Sequence, residues 1–127
     1  MDSGDFEPRV PLDDDSLPLW VRIEECMRLL DLALKEAKGR GKNMVEKEAA
    51  YYTAKARESF RLLEAGYANT FIQNVIKGRP GVVEAMSEYH AAEVEYKNAN
   101  EAINAMKAKL RVLENENERE WEQAKRM

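Results

Sequence analysis

Residues 85–127 read AMSEYHAAEVEYKNANEAINAMKAKLRVLENENEREWEQAKRM, and this stretch decides the fold. Throughout it, one residue falls on the same helical stripe every three or four positions. An average spacing of 3.5 residues keeps one stripe facing a partner along a supercoil. The stretch therefore predicts one long coiled-coil-like helix. We call the repeating positions the C-terminal stripe: Ala85, Tyr89, Ala92, Tyr96, Ala99, Ile103, Met106, Leu110, Leu113, Asn117, Glu120, Ala124 and Met127.

A helix of this length needs a cover for its apolar stripe. At about 1.5 Å per residue it would extend roughly 65 Å, so the rest of the chain or another copy must bury it. We predict a homo-oligomer, in either helix orientation, whose contacts are Tyr89, Tyr96, Ile103, Met106, Leu110, Leu113, Asn117 and Trp121. A lone Asn in such a stripe fixes register and strand number. Alternatively, Asn117, Glu120 and Trp121 mark the point where burial ends.

The N-terminal part of the chain predicts an acidic leader followed by a helix. Residues 1–15 contain two prolines and no periodicity, which favours disorder, and residues 16–127 are expected to form a single helical domain. Ser16 is a candidate N-cap, with Pro18 in the first turn. The helix is expected over residues 17–38, and the glycines at 39 and 41 are expected to end it. Its predicted buried stripe is Leu19, Ile23, Cys26, Leu30, Ala33 and Ala37.

Three further helices are expected over residues 44–65, 70–77 and 81–125. Gly66 suits the residue after a helix end, and Asn69 or Thr70 can cap the short helix that follows. Short connections predict antiparallel neighbours, so the predicted fold is an all-α antiparallel helical hairpin or bundle. The predicted buried stripe of residues 44–65 is Val45, Ala49, Tyr52, Ala56, Phe60 and Leu63.

Charge and composition restrict the binding partners and the cellular compartment that we expect for the chain. The net charge is −4, and residues 1–20 carry six acids and one base. Without a dominant basic face, the chain is not expected to bind duplex DNA. No apolar run approaches the roughly 20 residues that span a bilayer, and the acidic start is atypical of a signal peptide. A single cysteine suits a reducing compartment, so we predict a cytoplasmic protein without a membrane partner.

Residues for catalysis or metal binding are scarce. His90 and Cys26 are each the only residue of their type, and they do not make a usual zinc set. Ferritin-like sites need Glu-x-x-His, but Ser87 stands three residues before His90. The segment from Gly39 to Lys42 lacks the strand and the hydroxyl residue of a phosphate-binding loop. We predict no enzyme activity, no metal and no cofactor.

One segment suits a small anionic ligand better than the others. Lys77 and Arg79 precede Gly81 at a predicted helix start, where free N–H groups favour an anion. Tyr67 and Phe71 are candidates to stack on a base. These five residues are the candidate ligand site for a nucleotide-like molecule. The simpler interpretation is an ordinary Gly-Pro turn with two solvated bases.

The second half of the chain carries a distinctive set of residues: Gly66-Tyr67, Ile72, Val75-Ile76-Lys77-Gly78, Ala91-Ala92-Glu93, Tyr96-Lys97, Ala99, Glu101-Ala102, Asn104, Leu113-Glu114-Asn115 and Arg119-Glu120-Trp121. In these residues the chain, from Tyr67 onward, resembles small helical accessory proteins of phages and prophages of Gram-positive bacteria. The resemblance covers about the last half of the chain and implies a phage origin and a helical hairpin without an assigned catalytic activity. Such accessory proteins commonly serve recombination or act against host defence.

These observations lead to three functional hypotheses. The first is a non-enzymatic homo-oligomer in the host cytoplasm that binds and inhibits a host defence component. The second is a sponge that sequesters a nucleotide-like immune signal near residues 77–81. The third is an accessory protein of phage recombination or single-stranded DNA metabolism.

Overall fold

The computed structural model describes residues 7–126. Helix α1 spans Leu19–Glu64, α2 spans Asn69–Val75, a 3-10 helix spans Ile76–Gly78, and α3 spans Pro80–Arg126. The described residues form no strand, and the predicted all-α fold is confirmed. The first six residues of the predicted leader and Met127 of the C-terminal stripe lie outside the described residues.

The chain divides into two compact units. Among the described residues, the first unit comprises 7–37 and 98–126, and the second comprises Lys38–Lys97. In the first unit, Cys26 Sγ lies 3.6 Å from the Met106 carbonyl oxygen, and Arg22 Nη2 lies 3.8 Å from Glu116 Oε2.

Two ion pairs between α1 and α3 show the relative direction of these helices in the second unit. Arg40 Nη1 lies 2.6 Å from Glu95 Oε2, and Lys47 Nζ lies 3.5 Å from Glu88 Oε2. In each unit, later positions on α1 therefore meet earlier positions on α3. This is the antiparallel packing expected of a helical hairpin.

Two apolar clusters fill the first unit. One cluster consists of Leu12, Leu19, Cys26, Leu29 and Leu113, and the other of Ala33, Ala37 and Ile103. The stripe predicted for residues 17–38 is confirmed, because all six of its residues are buried or half-buried. Burying a Leu-sized side chain contributes about 2 kcal/mol, so this stripe accounts for the docking of α1 on α3 here.

The predicted break at residues 39–43 is wrong, because α1 continues through it. A Cβ atom added to Gly41 would lie 2.8 Å from Cε2 of Tyr96, so this glycine lets the Tyr96 ring approach the helix backbone. Gly39 has open space around it. A glycine inside a helix costs only about 1 kcal/mol relative to alanine, and packing outweighs that cost.

The end of α1 is as predicted, but the start of α2 is not. Gly66 has φ +94°, its N–H donates to the Leu63 carbonyl, and the Tyr67 N–H donates to the Leu62 carbonyl. This pair of hydrogen bonds is a Schellman motif. Neither Asn69 nor Thr70 caps α2, because both lie inside the helix and its N-cap is Ala68, which makes no side-chain cap bond.

Ser16 does not cap α1 either. The Pro18 carbonyl accepts hydrogen bonds from the N–H groups of Val21 and Arg22 at the first turn. Ser16 instead donates its hydroxyl hydrogen to Asp14 Oδ1 at 2.6 Å and its N–H to the same oxygen at 2.9 Å. These two hydrogen bonds lower the pKa of Asp14. They form the local turn that leads the chain into the helix.

Candidate functional site

The stripe predicted to be buried in residues 44–65 is exposed. All six of its residues, Val45, Ala49, Tyr52, Ala56, Phe60 and Leu63, are exposed in the second unit. The exposed fraction is 62% for Val45, 58% for Tyr52, 67% for Phe60 and 47% for Leu63. We call this set the outer stripe of α1. Large exposed apolar patches are uncommon on monomeric proteins and are typical of interaction surfaces.

A neighbouring face of α1 packs into the second unit instead. Tyr51 and Leu62 are buried, and they form a cluster with Ile72, Ile76 and Val82. The Tyr51 ring stacks on that of Tyr89, with centroids 6.2 Å apart. Residues 44–65 therefore carry apolar side chains on two faces. The pattern predicts amphipathic helix but does not say which face meets α3.

The C-terminal stripe, which was predicted as the oligomer contact, is covered by the same chain. In the second unit, Tyr89 packs against the cluster of Tyr51, and Tyr96 packs on Gly41. In the first unit, Ile103 and Leu113 are buried, and Met106 and Leu110 are half-buried against the first cluster. These six side chains thus hold α3 against α1 and are not an exposed surface for another copy.

Burial along α3 ends at Asn117. Asn117 is half-buried, Glu120 and Ala124 are exposed, and Trp121 is 63% exposed. This agrees with the alternative interpretation in which these residues mark the limit of the covered stripe. The last turns of α3 therefore present Trp121 to solvent.

The residues of the candidate ligand site make two contacts in the second unit. Tyr67 and Phe71 stack on each other, with ring centroids 5.1 Å apart and planes at 19°. Arg79 Nε donates to Glu58 Oε1 at 2.8 Å. Lys77 and Gly81 are exposed. The two rings thus contact each other, and the arginine is paired with a carboxylate.

Glu58 is the centre of a charged group that the sequence analysis did not identify. Arg61 binds it through two hydrogen bonds, at 3.0 and 2.6 Å, and Arg79 adds a third. Hydrogen bonds from Arg61 and then Arg79 lower the pKa of Glu58 to about 2. The same pairing raises the pKa of Arg61. An anion near Arg79 would therefore meet an ionised carboxylate, which weakens an anion site.

The first unit exposes a second, smaller apolar set. Trp20, Met27 and Leu34 occur at intervals of seven residues on α1 and are 64%, 55% and 45% exposed. Seven residues are close to two helical turns, so the three lie on one side of the helix. The exposed acids Glu24 and Asp31 lie between them, and Asp31 Oδ2 is 3.1 Å from Lys35 Nζ.

The described part of the predicted leader, residues 7–15, packs on the first unit rather than lying free. Leu12 is buried beside Leu113 and Cys26. Buried Arg22 donates to the Leu12 carbonyl at 3.4 Å, and buried Glu25 accepts from the Arg9 N–H at 3.1 Å. In the sequence, the charged residues Arg22 and Glu25 stand directly beside the apolar stripe of residues 17–38, and this was the only sign of these contacts, since buried charges need partners.

Lys109 and Glu7 extend these contacts. The Lys109 ammonium pairs with Asp13, and the Arg28 guanidinium donates to the Glu7 carbonyl at 3.3 Å. The segment is therefore anchored to both α1 and α3 within the first unit.

Cys26 and His90 occupy separate environments. Cys26 is fully buried in the first unit, and burial, followed by the charge of Glu114, raises the pKa of its thiol. His90, in the second unit, stacks on Tyr89 and places Nδ1 2.8 Å from Glu93 Oε1. A buried thiol of raised pKa is a poor nucleophile.

Residues 7–126 contain no group of three or more His, Cys, Asp or Glu side chains arranged to hold a metal ion. Within the same range, no helix combines the length and apolar character that crossing a membrane requires. Comparisons of the chain with protein-family models, with curated proteins and with solved structures find no match.

Proposed function

We propose that the protein is not an enzyme and acts by binding, as a helical homo-oligomer. The observation that supports this proposal is the exposure of the outer stripe of α1. Its six uncharged residues run from Val45 to Leu63 without an interruption by a charged residue on the stripe. Leaving four large apolar side chains in water forgoes hydrophobic free energy of about 25 cal/mol per Å², which self-association recovers.

The site of self-association differs from the one that the sequence favoured. The C-terminal stripe is covered by α1, whereas the outer stripe is exposed on a face of α1 next to that of the buried Tyr51 and Leu62. We therefore place the oligomer contact on the outer stripe. Folding of the single chain and association of copies then use different apolar surfaces.

We further propose that the oligomer is a phage accessory protein that binds and inhibits a host defence component in the host cytoplasm. The resemblance from Tyr67 onward supports the phage setting. Trp20, Met27 and Leu34 provide a candidate contact, since Trp and Met are enriched in the centres of interfaces. Acidic Glu24 and Asp31 beside them suit a partner with a basic rim around an apolar pocket.

Sedimentation equilibrium tests the self-association directly. The monomer has a mass of 14.6 kDa. At micromolar concentration we expect a mass that is a whole multiple of this value and that decreases on dilution. A stable monomer across the micromolar range would contradict the proposal.

Capture from a lysate of a Gram-positive host, read by mass spectrometry, tests the inhibitory role. We expect a bacterial protein that the wild-type chain retains and the Trp20→Ala variant loses. Val112→Ala, which also truncates an exposed apolar residue of the first unit, is the matched control. Equal retention by Trp20→Ala and by the control would remove Trp20 from the contact.

Two alternatives receive less support. A nucleotide-like signal at Lys77 and Arg79 would have to compete with Glu58, which already binds Arg79. Calorimetric titration with cyclic nucleotides tests this sponge function, and loss of the heat in Arg79→Ala would support it. A single-stranded DNA accessory function predicts salt-sensitive retardation of DNA, which the net charge of −4 disfavours.

A further inference from the structure

We infer that two copies of the chain pair through the outer stripe of α1 in antiparallel orientation, with the two-fold axis between Tyr52 and Ala56. This inference rests on the proposed self-association. It specifies that the partner is a second copy of the same helix face, that the two helices are antiparallel, and which residues lie opposite each other.

The spacing of the outer stripe fits another straight helix. Its steps from Val45 to Leu63 are four, three, four, four and three residues, which average about 3.6, the period of an α-helix. The stripe therefore stays on one side of α1 over its whole length. A second helix of equal length covers all six residues, whereas a loop or a sheet edge does not follow this period.

Antiparallel pairing places a small residue opposite a large one in the central layers. With the two-fold axis between positions 52 and 56, Tyr52 faces Ala56 of the second copy, and Phe60 faces Ala49. At both ends, Val45 faces Leu63. This register engages all six residues of each copy, because the two ends of the stripe meet each other.

Parallel pairing in register would place identical residues of the two copies opposite each other. Tyr52 would meet Tyr52 and Phe60 would meet Phe60, while the layers of Ala49 and Ala56 would each hold two methyl groups. Helix axes pack 8–10 Å apart according to the side chains between them. Alternating bulky and thin layers cannot share one spacing without voids or overlap. The antiparallel layers have more even volumes.

The area of the outer stripe suits a small interface that dissociates on dilution. Val45, Tyr52, Phe60 and Leu63 are between 47% and 67% exposed. Together with the two alanines, the stripe offers at most about 500 Å² per copy, or about 1,000 Å² for the pair when it is fully covered, which is the area of the smaller, transient biological interfaces. Since no charged residue lies on the stripe, pairing leaves no buried charge without a partner.

Cysteine cross-linking of the full chain distinguishes the two orientations. Val45→Cys and Leu63→Cys are prepared separately, mixed, and oxidised beside each variant alone. A disulfide needs Cα atoms about 4.4–6.8 Å apart, whereas two copies of Cys at position 45 in the antiparallel dimer would be roughly 27 Å apart. We expect the mixture to yield the mixed disulfide, identified by intact mass, and neither variant alone to cross-link.

Two controls accompany the cross-linking. The wild-type chain measures any contribution of Cys26, which is fully buried. Ala50→Cys places a thiol on an exposed position of the same helix, off the outer stripe, and measures collisional oxidation. All substituted positions are exposed, so the variants keep the fold, which circular dichroism verifies.

The outcomes separate this inference from the proposed function. If sedimentation shows an oligomer and only the mixture cross-links, both stand. If sedimentation shows an oligomer and Val45→Cys cross-links alone, the antiparallel register is overturned while self-association survives. If sedimentation shows an oligomer and no variant or mixture cross-links above the Ala50→Cys level, another surface pairs and the inference fails. A stable monomer overturns both.

Discussion

Tyr89 donates its hydroxyl hydrogen to Glu48 Oε2 across 2.9 Å, joining α3 to α1 within the second unit. The same ring stacks on Tyr51, so one residue provides both an apolar and a polar contact. The hydrogen bond to Glu48, followed by burial and the charge of Glu48, raises the pKa of Tyr89 to about 12. The folded state therefore favours the protonated phenol.

This raised pKa predicts an alkaline loss of stability that depends on Tyr89. The contribution of Tyr89 to the free energy of unfolding is complete below about pH 10, the ordinary pKa of tyrosine, and is lost as the pH rises through about 12. Urea unfolding at a series of pH values measures it. Tyr89→Phe is expected to be less stable at neutral pH and to lose less free energy of unfolding between about pH 10 and about pH 12. Tyr67→Phe, on an exposed ring, is the control, and identical profiles for both variants would contradict the account.

Replacing glycine by alanine is expected to change the stability differently at the two glycines inside α1. Gly39→Ala adds a methyl group in open space within a helix and should stabilise the chain by up to about 1 kcal/mol. Gly41→Ala places its methyl 2.8 Å from the Tyr96 ring, so Tyr96 must move. We expect Gly41→Ala to be less stable than Gly39→Ala by about 1 kcal/mol or more.

Repeating the pair in a Tyr96→Ala background identifies the cause. Without the ring, both glycine substitutions should have the same effect within about 0.5 kcal/mol. Persistence of the difference would show that Tyr96 is not responsible. Destabilisation by Gly39→Ala would indicate that α1 breaks at this position, as the sequence first suggested.

Leu12 is expected to shield the Cys26 thiol from chemical reagents. The two residues share one cluster, and Cys26 is fully buried. Removing a buried Leu side chain costs about 2 kcal/mol or more, so Leu12→Ala should increase the rate at which a disulfide reagent modifies the thiol by about tenfold or more. Pro11→Ala, at an exposed neighbour, is the control. Equal rates in the three proteins would mean that residues 7–15 do not cover the cluster.

Much of the fold follows from periodicity alone. The C-terminal stripe is buried or half-buried at every position from Ala85 to Asn117, and so is the stripe from Leu19 to Ala37. Gly66 was identified as a helix end because a positive φ favours glycine. The helix end predicted at Gly41 is wrong because a sequence does not distinguish a glycine that makes room for an aromatic ring from a glycine that ends a helix.

The candidate contacts could not be read from periodicity, because it does not say which face meets which partner. Tyr51 and Tyr52 are adjacent tyrosines, yet Tyr51 is buried and Tyr52 is 58% exposed. Helical spacing alone predicts that the outer stripe is buried, but all six of its residues are exposed. Arg79 gave no sign of its pairing with Glu58, since the two are 21 residues apart.

The most direct test of the central claim compares Ala49→Glu with Ala50→Glu by sedimentation equilibrium. Both alanines are exposed on α1, but only Ala49 lies on the outer stripe. An unpaired charge buried at an interface costs about 3 kcal/mol or more, which is at least about a hundredfold in affinity. We predict that Ala49→Glu is monomeric at concentrations where Ala50→Glu associates like the wild-type chain. Equal association of the two variants would contradict self-association through this surface.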